Sequence, residues 1–216
     1  MNAPSRLEIR GIYDGVELLP LKVDTQGWNS NGPIFAEAIK RIRPEVIVEV
    51  GSWKGASAIH MANLTRKLGP DCIIYAVDLW IPPIGVGLGE VPKTQIPEPW
   101  QGITFYHQFL FNVKSAGVDD MIIPVRGLTT CIATLLHYWS VKADLIYVDA
   151  SHDELSVYND LKAYWPILRT GGILFGDDYS SHEGVRNAVN RFALEVGRTV
   201  EEFPAQEGTQ WMLSPK

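Results

Sequence analysis

Apolar residues along the chain follow two alternating rhythms. Short β-branched runs stand at Val46 to Val50, Ile73 to Val77, Met121 to Val125, Leu145 to Val148 and Ile173 to Gly176, with weaker ones at Val200 to Phe203 and Gln210 to Leu213. Runs of this length bounded by turn residues predict strands. Between them, apolar residues recur three or four apart: Ile34, Ala38 and Ile42 with Phe35 and Ile39; Ala58, Met61, Leu64 and Leu68; Leu155, Tyr158, Leu161, Trp165 and Leu168; and Val185, Val189, Phe192 and Val196. These are helical stripes, the first ended by Pro44, the second by Gly69-Pro70 and the third by Gly171-Gly172. Strands alternating with helices of this length predict an α/β fold: a Rossmann-like, doubly wound, seven-stranded and mostly parallel sheet with helices on both faces and right-handed crossovers.

One interval breaks the rhythm. Between Ile81 and Gly102, nine of 22 residues are Gly or Pro, and Trp100 lies among them. Such a stretch predicts no regular element, and a long loop inside a compact domain is a lid, a binding loop or a disordered insertion. It follows the second strand, at the carboxyl edge where ligands bind in open α/β sheets, so a mobile cover over the substrate is expected. Residues 1–216 are expected to form one domain with this lid at about 81–102.

A chain of 216 residues with 46% hydrophobic and 20% charged residues has an ordinary globular composition. Its formal net charge of -6 argues against a surface that tracks phosphates, so nucleic acid is not an expected partner. The two cysteines, Cys72 and Cys131, each sit in an apolar segment and read as core thiols rather than a disulfide or thiolate metal cluster. With no run of about 18 apolar residues and no basic, then hydrophobic, opening, no membrane partner is expected and a cytoplasmic location is. Apolar positions such as Trp211 and Met212 suit either a core edge or a contact between copies in a homo-oligomer.

Candidate chemistry begins at the end of the first strand, Val46-Ile47-Val48-Glu49-Val50-Gly51-Ser52-Trp53-Lys54-Gly55-Ala56-Ser57. A buried strand turning on glycines into a helix is where doubly wound folds hold a nucleotide-like ligand, because backbone can approach it and the helix offers free N–H groups. The spacing Glu49-x-Gly51-x-x-x-Gly55 is not the G-x-G-x-x-G of a pyrophosphate turn, which makes an NAD-dependent oxidoreductase the weaker reading. Asp78 closes the second strand, where a carboxylate either accepts from both hydroxyls of a ribose or merely starts a turn.

Together these features resemble the class I S-adenosylmethionine-dependent methyltransferases over nearly the whole chain. The resemblance implies that Gly51 and Gly55 pass close to the methionine end of the cofactor, that Asp78 binds its ribose, and that Glu49 supports the turn from beneath. Ser52, Trp53 and Ser57 line the same turn, Trp53 as a ligand contact or as a surface cover. Leu79 and Trp80 are expected as walls for adenine. After the third strand, Gly127 and Leu128 in Arg126-Gly127-Leu128-Thr129 stand where the family meets the other edge of adenine, although relatives often carry a polar residue in place of Leu128.

A second constellation stands at the ends of the fourth and fifth strands, in Tyr147-Val148-Asp149-Ala150-Ser151-His152 and Phe175-Gly176-Asp177-Asp178-Tyr179. Carboxylates meeting in a partly buried cleft repel unless protonated or offset by a cation, and oxygen ligands suit Mg²⁺ or another hard divalent ion. Asp149, Asp177 and Asp178 are therefore expected to bind metal, with helix capping by Asp177 and Asp178 as the alternative. The arrangement resembles the metal-dependent O-methyltransferases of the catechol and caffeoyl-coenzyme A type. With Asp-Asp in place of Asp-Asn, it is closer to bacterial sugar O-methyltransferases of macrolide and aminocoumarin biosynthesis. In the catechol type a Lys three positions after the first ligand is the general base; here that position is His152, whose ordinary pKa near about 6.5 suits it to take a proton. Its alternative is to ligate the metal or cap the helix that follows, and His182 is a weaker candidate for binding substrate.

The expected activity is thus transfer of a methyl group from S-adenosylmethionine to a hydroxyl of a small-molecule acceptor such as a sugar, phenol or natural product, with Asp149 flanking both cofactor and metal. A cofactor-binding protein that keeps this fold without transferring methyl groups is the alternative from another class.

Overall fold

All seven apolar runs become strands of a single sheet in the computed structural model, which describes residues 4, 6–15, 21–69, 71–81 and 101–216. The strands are β1 (Val46–Val50), β2 (Ile73–Asp78), β3 (Ile122–Arg126), β4 (Ala143–Val148), β5 (Leu168–Gly176), β6 (Val200–Pro204) and β7 (Thr209–Leu213). Their order is β3-β2-β1-β4-β5-β7-β6. The first five pair in parallel, while β7 runs antiparallel to both β5 and β6.

The helices are α1 (Arg6–Tyr13), α2 (Pro33–Ile42), α3 (Ala56–Leu68), α4 (Gln101–Ser115), α5 (Thr129–Tyr138), α6 (Glu154–Tyr164) and α7 (Glu183–Glu195). Right-handed crossovers in this strand order send α3 and α4 to one face and α5 and α6 to the other. In agreement, α2 packs on α3, while α6 packs on both α5 and α7. Strands β1, β2 and β4, buried almost from end to end, carry apolar residues on both faces as a doubly covered parallel sheet requires. Phe35 of α2 meets Tyr147 of β4 and Phe175 of β5 with ring centres 4.9 and 5.7 Å away, which anchors that helix under the carboxyl ends of the two strands.

Several expectations need correction. The third helical stripe does not reach Leu168: α6 stops at Tyr164, a 3-10 turn spans Trp165–Ile167, and Leu168 opens β5. Pro166 has no amide hydrogen to continue an α-helix, and the buried side of α6 is Val157, Tyr158, Leu161 and Tyr164, with Leu155 facing out. The lid expected at 81–102 falls, for residues 82–100, outside the described residues, and Gln101 and Gly102 begin α4. Cys131 is exposed, because α5 turns Ile132, Ala133 and Leu136 inward; only Cys72 is a core thiol. Trp211 and Met212 are fully buried within the chain, so a contact between copies would have to use other residues. Among the described residues no helix is long and apolar enough to cross a membrane.

Candidate active site

Parallel strands bring their carboxyl ends to one edge, and here the backbone ladder continues one residue beyond each. Gly51 donates to the Val77 carbonyl (2.9 Å), Asp149 to Val50 (2.8 Å), Gly127 to Asp78 (3.0 Å) and Asp177 to Val148 (3.3 Å). From β1 the chain steps outward through β2 to β3 and then crosses back to β4 on the other side of β1, and this reversal of strand order between the parallel neighbours β1 and β4 opens a crevice at the edge. It contains a cavity of about 840 Å³ lined by Gly51, Ser52, Trp53, Ser57, Asp78, Leu79, Gly127, Leu128, Asp149, His152, Asp177 and Asp178, together with residues 25–30.

Gly51 sits at φ +89°, and a Cβ there would lie 2.0 Å from the Asp149 carbonyl oxygen, so only glycine lets β1 turn this close to β4. Beneath the turn, Glu49 is wholly buried and accepts from the hydroxyls of Ser52 and Ser57, the latter at 2.5 Å. Burial pushes the Glu49 carboxyl up to about 7 despite these two donors, with the charge of Asp78 adding to the rise. A carboxyl raised in the folded state takes up a proton on folding, so stability is greatest below the ordinary value of 4.5 and falls as pH rises to about 7. Glu49→Gln should lack this falling limb, gaining on the wild type by about 3 kcal/mol between those pH values. Denaturant unfolding at pH 5 and pH 7.5 checks this; equal pH dependence in both proteins would contradict it.

Asp78 is fixed by two backbone amides: Trp53 N–H donates to Oδ2 (2.8 Å) and Trp80 N–H to Oδ1 (2.6 Å). Each oxygen keeps a lone pair for a ligand. Trp80 itself is no wall of the cavity. It is completely buried, its Nε1–H donates to the Trp53 carbonyl (2.7 Å), and its ring packs on Tyr106 and Phe109. Leu79, Ile81 and Leu128 line the cavity instead. Gly55 also stands off the cavity: at φ +87° it precedes α3, where a Cβ would press on the Phe109 ring at 3.0 Å.

The three aspartates share the cavity but differ in partners. Asp149 accepts from the Tyr147 hydroxyl (3.0 Å); burial, then the charges of Asp177 and Asp178, push it up to about 8. Burial pushes Asp177 up to about 6 against donation from the Asp178 amide (2.8 Å) and Asn29 Nδ2 (3.2 Å). Asp178 is raised by burial, but His152, Ser181 and His182 outweigh that and hold it below the ordinary range. Its oxygens lie 3.0 Å from His152 Nε2 and 3.1 Å from His182 Nδ1, and the two imidazoles face each other 4.0 Å apart. The hydrogen bond to Asp178 raises His152.

The expected metal triad is therefore not one compact group. Asp178 has a left-handed backbone (φ +64°) and engages the histidines, while Asp177 is tied to Asn29. Among the described residues, the group whose ligand atoms all lie within 4.8 Å of one another is His152, Asp178 and His182. Even so, Asp149 and Asp177, raised first by burial and further by neighbouring negative charge, share one cavity wall with Asp178, a set of hard oxygen donors that a dication would relieve, and in this sense the residues fit such an ion.

Residues 25–30 and Glu207 escaped the sequence reading. Residues 25–30 carry no periodic pattern, Glu207 lies in the β6–β7 turn, and the two are joined by Asn29, whose side chain exchanges 2.9 Å hydrogen bonds with the Glu207 backbone.

Residues 48–179 match the family described as "Methyltransferase domain". No curated protein matches in sequence. Among solved structures, the O-methyltransferase from Bacillus cereus in complex with SAH is 16% identical with a TM-score of 0.60, the match covering 100% of this chain and 92% of that one. The O-methyltransferase TomG from Streptomyces achromogenes, involved in tomaymycin synthesis and in complex with SAM, is 15% identical with a TM-score of 0.62, covering 100% and 92%. The O-methyltransferase NovP is 16% identical with a TM-score of 0.63, covering 85% and 78%. At these identities the likeness establishes the fold.

Proposed function

The chain belongs to the methyltransferase-domain family, and on that premise we propose that it is an S-adenosylmethionine-dependent O-methyltransferase assisted by a divalent cation. The acceptor is a small-molecule hydroxyl. The observation that carries this reading is that the Gly51 turn, Asp78, the three aspartates and His152 all line one cavity, whose volume of about 840 Å³ falls in the range of small-molecule sites. The glycine spacing and fixed Asp78 suit a nucleoside better than a dinucleotide.

The Gly51–Trp53 turn would receive the amino-acid end of the donor, and Asp78, held by two amides, would accept from its ribose. When bound, S-adenosylmethionine supplies an electrophilic methyl carbon: a C–O bond forms, the C–S electron pair stays with sulfur, and the hydroxyl proton leaves to a base. Asp149, Asp177 and Asp178 would hold the dication, whose charge lowers the pKa of an acceptor hydroxyl. His152, hydrogen-bonded through Nε2 to Asp178, has Nδ1 left to take the proton.

Asp78→Ala should weaken S-adenosylhomocysteine binding by about 10- to 100-fold, as expected for losing about 1.5–3 kcal/mol of charge-assisted hydrogen bonds. Calorimetric titration of a variant checked for folding by circular dichroism measures this. Unchanged affinity would remove Asp78 from the donor site.

A further inference from the structure

The cavity has a wall to which the donor and metal roles above assign no ligand. Trp28 lines it with 53% of its surface exposed and, among the described residues, no ring, cation or hydrogen-bond partner for its side chain. A lone exposed tryptophan is unremarkable on a protein surface, but this one is displayed from a fixed segment. Its carbonyl accepts from Ser30 Oγ (3.0 Å), and the neighbouring Asn29 is buried, bonded to the Glu207 backbone on both sides of its amide and to Gln210 Nε2 through its carbonyl (3.3 Å). The same contacts hold Glu207 beside this wall. Its carboxylate has no cationic partner among the described residues.

Charge narrows what can enter. Acidic groups outnumber basic ones in the lining: Asp78, Asp149, Asp177, Asp178 and Glu207 stand against one lysine and two histidines, His152 and His182 are both engaged by Asp178, and Asp149 is itself protonated until a cation binds. That lysine, Lys54, is buried with its ammonium 2.6 Å from both Asp24 and Gln26, so it has no charge to spare for a ligand. Residues 82–100 contain Lys93 against Glu90 and Glu98 and add no positive balance. A carboxylate or phosphate on the acceptor would meet like charge even after a dication offsets two of these groups. A protonated amine meets attraction from a free carboxylate and from an indole face.

We propose that Trp28 and Glu207 form an acceptor subsite for a ring that bears a protonated amine as well as the hydroxyl to be methylated, and that the acidic lining turns away anionic acceptors. The role of acceptor rests on the methyl-transfer reading; the binding preference does not.

The test uses the protein loaded with S-adenosylhomocysteine and Mg²⁺, and saturation-transfer NMR titrations of three matched probes: methyl glucosaminide, methyl glucoside and methyl glucuronide. The amine is expected to bind most tightly and the uronide at least about tenfold more weakly. Trp28→Ala should weaken the amine and neutral probes by about tenfold while Trp28→Phe retains most of their affinity, and Glu207→Gln should weaken the amine alone. A uronide that binds as well as the amine, indifference of all probes to Trp28→Ala, or no binding by any probe would overturn the subsite. If the wild type gives no heat with S-adenosylhomocysteine, the methyl-transfer reading fails instead. The same ranking measured without cofactor then upholds the subsite, and its absence overturns it.

Discussion

Asp149→Asn is expected to cut methyl transfer by at least about 100-fold while making the metal-free protein more stable. Both effects come from one feature, a carboxyl enclosed with two others at the end of β4. Its folded pKa is raised from 3.8 to about 8, so folding draws a proton onto it. The native state loses stability as pH rises through that window and carries the full deficit above it. An amide of the same shape still accepts from the Tyr147 hydroxyl, 3.0 Å away, and has no such deficit. The gain should be on the order of a few kcal/mol, or several degrees in Tm for a chain of this size. Turnover falls because an amide cannot supply the charge that a dication needs. Thermal unfolding in chelator and a transfer assay with Mg²⁺ measure the two effects. A lower Tm together with surviving turnover would show that Asp149 is a structural acid.

Gly51→Ala should act in the opposite direction on stability and be just as damaging to donor binding. The new methyl would need to share space with the Asp149 carbonyl at 2.0 Å, and the backbone at φ +89° is strained for any residue with a Cβ. Neither neighbour can step aside, since Gly51 N–H is bonded to Val77 and Asp149 N–H to Val50. A loss of roughly 3 kcal/mol or more is expected, a fall of about 6–12 °C in Tm, with the heat of S-adenosylhomocysteine binding abolished in the fraction that remains folded. A variant with wild-type Tm and affinity would mean that β1 and β4 separate more easily than their ladder implies.

The sheet was legible because each strand is a short β-branched run closed by a residue with its own local meaning: Gly51 after β1, Asp78 at the end of β2, Asp149 after β4 and Asp177 after β5. Parallel pairing then fixes where those residues meet, so the edge of the site followed from topology without side-chain detail. Helices with weaker stripes were harder. Helix α4 begins inside a Gly/Pro-rich interval, and its apolar face of Phe105, Phe109 and Val113 is recognised only once Trp80 is seen packing against it. Trp80 misled for a related reason: adjacency to Asp78 placed it near the ligand, but the left-handed backbone at φ +50° turns its ring into the core. Asp178 shows the same limit at closer range. Adjacent in sequence to Asp177, it nevertheless has different hydrogen-bonding partners, the two histidines where Asp177 has Asn29, and no local pattern distinguishes the two. Contacts such as Asn29 with Glu207 span 178 residues and leave no trace in any local pattern.

The most direct test of the central claim is a crystal of the protein grown with S-adenosylhomocysteine and Mn²⁺, with anomalous scattering used to locate the ion. The account predicts a single strong peak bound by oxygens of Asp149, Asp177 and Asp178, in the same cavity as a ribose held by Asp78. An ordered S-adenosylhomocysteine with no peak at those aspartates, or a cofactor bound away from Asp78, would contradict it.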